Sequence, residues 1–278
     1  MQKNPILCLF GISLALLLSA CGGSNSNANA NKQNTPPTLN KPNNDWSNNT
    51  DFANCSEQIY QQPPTVAINM VKDSYPLCFN GFAVLYSGVS RTPIWVGEYL
   101  TRQRLSYAKK LKREDNFHAE SRLPSSVRSE IYDYKKSGYD RGHLAPNADM
   151  SNKTSQYDSF SLANIAPQHP DNNQKNWLKV EQLTRTLTNR YGSSYVITGV
   201  AYLSPQLKKL NNRVLVPTHF FKAVYFPSNN QAVAFITPND ASQQTDVVSL
   251  QQLQQVTGVD AFPNLPYTVK NVKMAINF

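Results

Sequence analysis

Cysteine is scarce in this chain, and acidic residues are outnumbered. Four cysteines occur in 278 residues, at positions 8, 21, 55 and 78. Cys55 and Cys78 are too isolated to suggest a metal site of closely spaced thiolates. No apolar run beyond the N-terminus is long enough to span a bilayer. No internal repeat is visible, and strand and helix patterns do not alternate in a regular βαβ rhythm. That points to an α+β domain. There are 18 Asp and Glu against 27 Lys and Arg, a net charge of +9 with a pI near 9.3. Such a balance concentrates polyanions (nucleic acid, anionic lipid or acidic glycan), with solubility as its blander use.

The N-terminus reads as a targeting signal. Lys3 precedes an apolar run from Ile6 to Leu18, which is of signal-peptide length. Leu18-Ser19-Ala20-Cys21-Gly22 looks like a bacterial lipobox. Residues 1–20 are expected to be a lipoprotein signal peptide and Cys21 the lipid-bearing residue, an ordinary secretory signal being the rival. Gly22 is not acidic, which fits an exported protein anchored to the cell envelope at the outer membrane. Several acyl chains at ~0.8 kcal/mol per buried methylene would hold it there. Residues 21–50 are rich in Asn, Ser and Pro and read as a disordered tether. Its reach is ~30 Å. The folded domain is expected over residues 51–278. In an exported protein, Cys55 and Cys78 are expected to form a disulfide, two buried thiols being the alternative.

Within the domain, Phe79 to Leu85 and Pro93 to Leu100 read as strands, with Ser87-Gly88 as the turn between them. Residues 102–137 read as loop with a short helix near Ser125 to Tyr132. Strands are predicted at Ser194 to Ala201, Val214 to Tyr225 and Gln231 to Thr237. The last two are joined through Pro227-Ser228-Asn229-Asn230. A helix is predicted from Val247 to Val256, capped by Gly258.

The chemistry concentrates between Tyr139 and Arg185. In Asp140-Arg141-Gly142-His143, a histidine near pKa 6.5 can accept a proton at neutral pH. Arg141 offers a fork suited to phosphate oxygens. Gly142 lets the backbone turn or lets a substrate come close. A lone histidine is more often structural, and His118, His169 and His219 are read so. A helix is expected from about Asp171–Asn173 to Gly192. At ~100° per residue, Trp177, Val180, Leu183, Leu187 and Tyr191 gather near the direction of Asn173. Glu181 falls about 80° from Asn173 and Arg185 about 120°. A simple i,i+4 ion pair is the bland account of those two. Histidine, arginines, amides and one carboxylate in a basic chain are equipment for cutting a phosphodiester with a metal ion.

Tyr139-Asp140-Arg141-Gly142-His143-Leu144-Ala145-Pro146, Asn164-Ile165-Ala166-Pro167-Gln168, and Asn173-Gln174 with Trp177, Glu181 and Arg185 resemble the DNA/RNA non-specific endonucleases. Tyr195 to Gly199, Val216 to Lys222 and Thr257 to Asp260 carry the likeness on, over about residues 55–275. The resemblance implies the ββα-metal (His-Me finger) fold, with a central, mostly antiparallel sheet flanked by helices. It implies that His143 activates the attacking water. Asn173 would be the sole direct protein ligand of Mg²⁺, and Glu181 would hold a water of the ion's shell. Arg141, Arg185 and Arg113 would stabilise the charged phosphate, and Asn164 would orient the His143 region or the scissile phosphate. DNA and RNA would both be substrates and 5′-phosphates the products. Asn172 stands where similar sequences often carry an apolar residue. Mn²⁺ in place of Mg²⁺ is left open. The sequence gives no dimer signal, though homodimers occur among similar enzymes. The alternative is an envelope lipoprotein that binds nucleic acid without cutting it.

Overall fold

A computed structural model describes residues 51–276. The expected signal peptide, Cys21 and the tether lie outside the described residues. The strands that matter here are β1 (Ser74–Phe79), β2 (Phe82–Ser87), β3 (Thr92–Thr101), β4 (Asp140–His143), β5 (Ile165–Gln168), β6 (Ser193–Ala201), β7 (His219–Phe226), β8 (Gln231–Pro238) and β9 (Asp246–Val248). The helices are α1 (Arg102–Ala108), α2 (Lys153–Ser159), α3 (Leu178–Tyr191) and α4 (Leu250–Thr257). Seven strands form one antiparallel sheet in the order β9-β8-β7-β6-β3-β2-β1. Strands β4 and β5 pair separately, antiparallel, with His143 opposite Ile165 and Asp140 opposite Gln168. The pair β4–β5 followed by α3 is the ββα unit of an α+β fold.

Alternation along the central strands sends side chains to two cores. Val96, Val196, Val200, Phe220 and Val224 join Trp177, Val180 and Leu187 on one face. Trp95, Ile197, Phe221, Ala223 and Ile236 join Leu250, Leu253 and Phe262 on the other. Each fully buried aliphatic or aromatic side chain contributes about 1.5–3 kcal/mol, so α3 is fixed mainly by its buried face. Cys55 and Cys78 form a disulfide with Cα atoms 5.5 Å apart. It ties the N-terminal segment to β1.

Several predicted elements need correction. The strand expected over Phe79 to Leu85 contains a hairpin turn at Asn80-Gly81, where Gly81 has φ +94°. Asn-Gly is a favoured two-residue turn because both positions tolerate left-handed backbone. Residues 102–137 begin with α1, whose N-cap Thr101 accepts from the Arg104 N–H. The helix expected near Ser125 to Tyr132 is only a 3-10 turn over Ile131–Tyr134. Arg91 draws out the preceding loop by donating to the carbonyls of Ser126 and Arg128. The strand expected from Val214 to Tyr225 is broken into Val214–Leu215 and β7, with Pro217 between them. Proline cannot donate to the sheet ladder. The last helix starts later than predicted, at Leu250, because Ser249 caps it and Gln252 completes a capping box.

Candidate active site

A π-helical turn from Asn172 to Trp177 runs directly into α3. Such turns are rare and occur often at functional sites. On an unbroken α-helix, Glu181 would lie about 80° from Asn173. A π step rotates the chain less than an α step, so several in succession remove much of that angle. Asn173 and Glu181 accordingly line one cleft, together with Arg113, Arg141, His143 and Arg185. Its volume is about 340 Å³. The six cleft residues that sequence alone assembled are thus brought together.

Buried amides hold the π turn. Asn172 is buried; it accepts from Gln168 Nε2 at 2.5 Å and donates to Thr237 Oγ1 and the Pro238 carbonyl. Asn176 donates to the Gln244 carbonyl and to Thr245 Oγ1. Asn172 is therefore held in the interior and does not line the cleft. Asn173 Nδ2 donates to Asp140 Oδ2 at 2.8 Å, and Gln174 Nε2 donates to the same oxygen. Oδ1 is the end of the Asn173 amide that remains for a cation.

Gly142 lies within β4 rather than at a turn. A Cβ there would lie 2.2 Å from Gln168 Oε1 and 2.6 Å from Gln168 Cβ. The missing side chain makes room for Gln168 to reach Asn172. Asn164 is fully buried and does not line the cleft. Its Oδ1 accepts from the Ala145 N–H, and its Nδ2 donates to the carbonyls of Ala145 and Ser159. It fixes the backbone that follows His143.

The His143 ring is half-buried and packs against Phe117 and Phe160, with centroids 5.4 and 5.0 Å away. Its Nε2 is buried without a hydrogen-bond partner, which leaves Nδ1 as the nitrogen open to the cleft. Burial and then the positive charge of Arg113 push its pKa down to about 3. The ring is neutral at physiological pH. Arg141 lies over the Phe117 ring at 4.1 Å, and Arg113 pairs with Asp115 at 2.7 Å. His118 stacks on Tyr157, and His219 Nδ1 is hydrogen-bonded with Thr218 Oγ1.

Beneath the cleft, Glu181 and Arg185 join buried charges that the sequence reading missed: Asp149, Glu98, Arg104 and Lys222. Arg185 pairs with Asp149 at 3.1 Å and approaches Glu181 at 3.9 Å. Glu98 on β3 pairs with Arg104 at 3.1 Å. Lys222 on β7 donates to Thr198 on β6 and is 1% exposed. Burial, with the Asp149 charge next, pushes the Glu98 pKa up to about 8. Burial also pushes Glu181 up to about 7, against the pull of Lys222 and Arg185. The available signal was a charged residue at an inward position of an apolar strand, as in Trp95-Val96-Gly97-Glu98 and Phe220-Phe221-Lys222.

Among the described residues no group of three or more His, Cys, Asp or Glu side chains could enclose a metal ion. The oxygen donors at the cleft are instead amides and one carboxylate: Asn173 and Glu181, with the amides of Asn147 and Gln174 also in the lining. Few hard oxygen ligands with room for water suit Mg²⁺, which dehydrates reluctantly. The residues present fit such an ion.

Comparison with known proteins finds nucleases. The family model for the DNA/RNA non-specific endonucleases matches residues 64–268. The mitochondrial nuclease of Saccharomyces cerevisiae is 32% identical over 218 residues, covering 68% of this chain and 66% of its own. A Nostoc nuclease is 31% identical, covering 70% and 76%. Endonuclease G of Caenorhabditis elegans is 31% identical, covering 73% and 74%. A crystal structure of the EndoG/EndoGI complex is similar with a TM-score of 0.58 and 25% identity, covering 67% of this chain and 86% of that one. The chain spans 66% of the length of the two yeast nucleases it matches, just under two thirds.

Proposed function

The chain belongs to the DNA/RNA non-specific endonuclease family, and from that membership we propose that it hydrolyses phosphodiester bonds in DNA and RNA with Mg²⁺, leaving 5′-phosphates. One observation carries the reading: His143 Nδ1 and the Asn173 amide open onto the same arginine-lined cleft.

In this reading His143 Nδ1 takes a proton from the attacking water. Its neutral state at pH 7 leaves the lone pair available. Phosphate drawn in beside Arg113 and Arg141 offsets the charge that depresses the imidazole, and so raises its basicity when substrate binds. Arg113 and Arg141 face the charge that builds on the phosphate. Arg185, tied to Asp149, adds positive potential from the cleft wall. Asn173 Oδ1 would hold the cation directly and Glu181 through water. When bound, Mg²⁺ or Mn²⁺ supplies charge stabilisation at the phosphate and the leaving oxygen. Contacts confined to phosphate read neither base nor sugar, which is why both nucleic acids are substrates here.

The test is plasmid DNA and a structured RNA incubated with purified protein in Mg²⁺, in EDTA, and with His143→Ala. Cutting by the wild type alone, and only with the ion, is the expected outcome. Equal failure of wild type and variant would leave the non-cutting, nucleic-acid-binding lipoprotein. Export and attachment to the cell envelope through lipidated Cys21 belong to the same proposal. Radiolabelled palmitate entering the wild type but not Cys21→Ala is expected, and labelling of both would sink the anchor.

A further inference from the structure

A second groove, of about 780 Å³, runs out from the catalytic cleft. Arg113, Arg141 and Asn173 line both, so the two are continuous. The far wall is the turn Ile131–Tyr134 with Lys135 and Lys136. We propose that this groove binds an unpaired, single-stranded segment of nucleic acid next to the cut site, with a base stacked on Tyr132 and phosphates on Lys135 and Lys136. The proposal rests on the nuclease reading for its biological sense and on the groove itself for its chemistry.

Tyr132 is built as a platform. Its ring is 54% exposed, yet it is backed by the Arg213 guanidinium 5.4 Å from the ring centroid. Arg213 is itself anchored on buried Asp133 at 3.1 Å. The turn is braced by a capping box in which the Glu130 N–H donates to Asp133 Oδ2 at 2.8 Å. An exposed aromatic held this firmly loses little entropy when something stacks on it. Beside it, Lys135 and Lys136 are exposed, and no carboxylate among the described residues pairs with either. Tyr134 in the same wall is buried, and its hydroxyl has no hydrogen-bond partner.

An aromatic surface interleaved with unpaired lysines suits a single strand more than a duplex. A duplex hides its base faces in the stack and presents only phosphate and groove edges. An unpaired base offers a π-face, and stacking on an aromatic side chain is tolerant of sequence. That tolerance matches a site that reads phosphate rather than base.

Fluorescence anisotropy in EDTA tests this without any cleavage. The probes are a labelled oligothymidine of roughly twelve nucleotides, within the range of known single-strand sites, and a blunt duplex of similar length. Tyr132→Ala is expected to weaken binding of the single strand about tenfold, the scale of one lost stack. Tyr132→Phe should keep it, since the ring face remains. Lys135→Ala with Lys136→Ala should weaken it further and flatten its salt dependence. The duplex should change less than the single strand with Tyr132→Ala. Equal losses on both probes, or an unchanged single-strand affinity, would overturn the proposal. Failure of the wild type to cut plasmid sinks only the nuclease reading and leaves this comparison intact.

Discussion

Asp140 Oδ2 accepts a hydrogen bond from Asn173 Nδ2 at 2.8 Å across 33 residues of sequence. The bond joins β4 to the π turn and decides which end of the amide faces the cleft. Asn173→Ala removes the amide oxygen proposed to hold the ion, and cleavage should fall at least a hundredfold at any Mg²⁺ concentration. Asp140→Asn instead loosens the amide's orientation. The Mg²⁺ concentration giving half-maximal cleavage should rise by about 10–100-fold, the usual effect of losing an outer partner. Titrating Mg²⁺ against plasmid cleavage by both variants separates the two.

His143→Ala should lower the rate by about 10²–10⁴-fold, as expected for loss of a general base. Its thermal midpoint should hold or rise, since the ring carries a buried nitrogen without a partner. Kinetics and calorimetry on the same preparation check both parts.

The same ring predicts a pH dependence of stability. Its folded pKa, about 3, lies below the ordinary value of 6.5. Between those values the unfolded chain binds the proton and the folded one does not, so this group costs stability as pH falls from 6.5 toward 3. Denaturant midpoints at pH 7 and pH 4.5 should drop more for the wild type than for His143→Ala. Identical drops would show that the imidazole is not held neutral.

Gly142→Ala would push a methyl into Gln168. Overpacking of this kind costs about 1–3 kcal/mol, and the shift should reach Asn172 and the turn bearing Asn173. Pairing it with Gln168→Gly removes both the Oε1 and the Cβ that the methyl would meet. The double variant should therefore lose less stability than the sum of the singles. Strict additivity in urea melts would contradict the contact.

Reduction of the Cys55–Cys78 bond should destabilise the domain by about 3 kcal/mol, from the freedom returned to the unfolded loop. Cys55→Ala with Cys78→Ala should show the same loss, and reductant should then have no further effect on its melting.

The cleft was legible in sequence because its residues are near neighbours along the chain. Asp140 to His143 and Asn173 to Arg185 need only one strand pair and one helix to meet. Glu98 and Lys222 come from strands that flank β6, and Asp149 from the 3-10 turn Asn147–Asp149, so only the assembled fold makes them neighbours. The π turn escaped a wheel drawn at one fixed angle, since nothing in Asn172-Asn173-Gln174-Lys175-Asn176 distinguishes it from an ordinary polar first turn. Asn80-Gly81 did carry a turn signal, but the apolar residues around it read as one continuous strand.

The wide turn also limits how this protein can be altered. A helix either contains an extra residue in its coil or lacks it, and no side-chain replacement sets an intermediate pitch. Removing one residue between Asn172 and Trp177 would swing every later side chain of α3 as a block, carrying Glu181 and Arg185 away from Asn173 while leaving composition almost untouched. Length here is therefore constrained as tightly as identity, in a stretch that otherwise has the look of an ordinary polar surface.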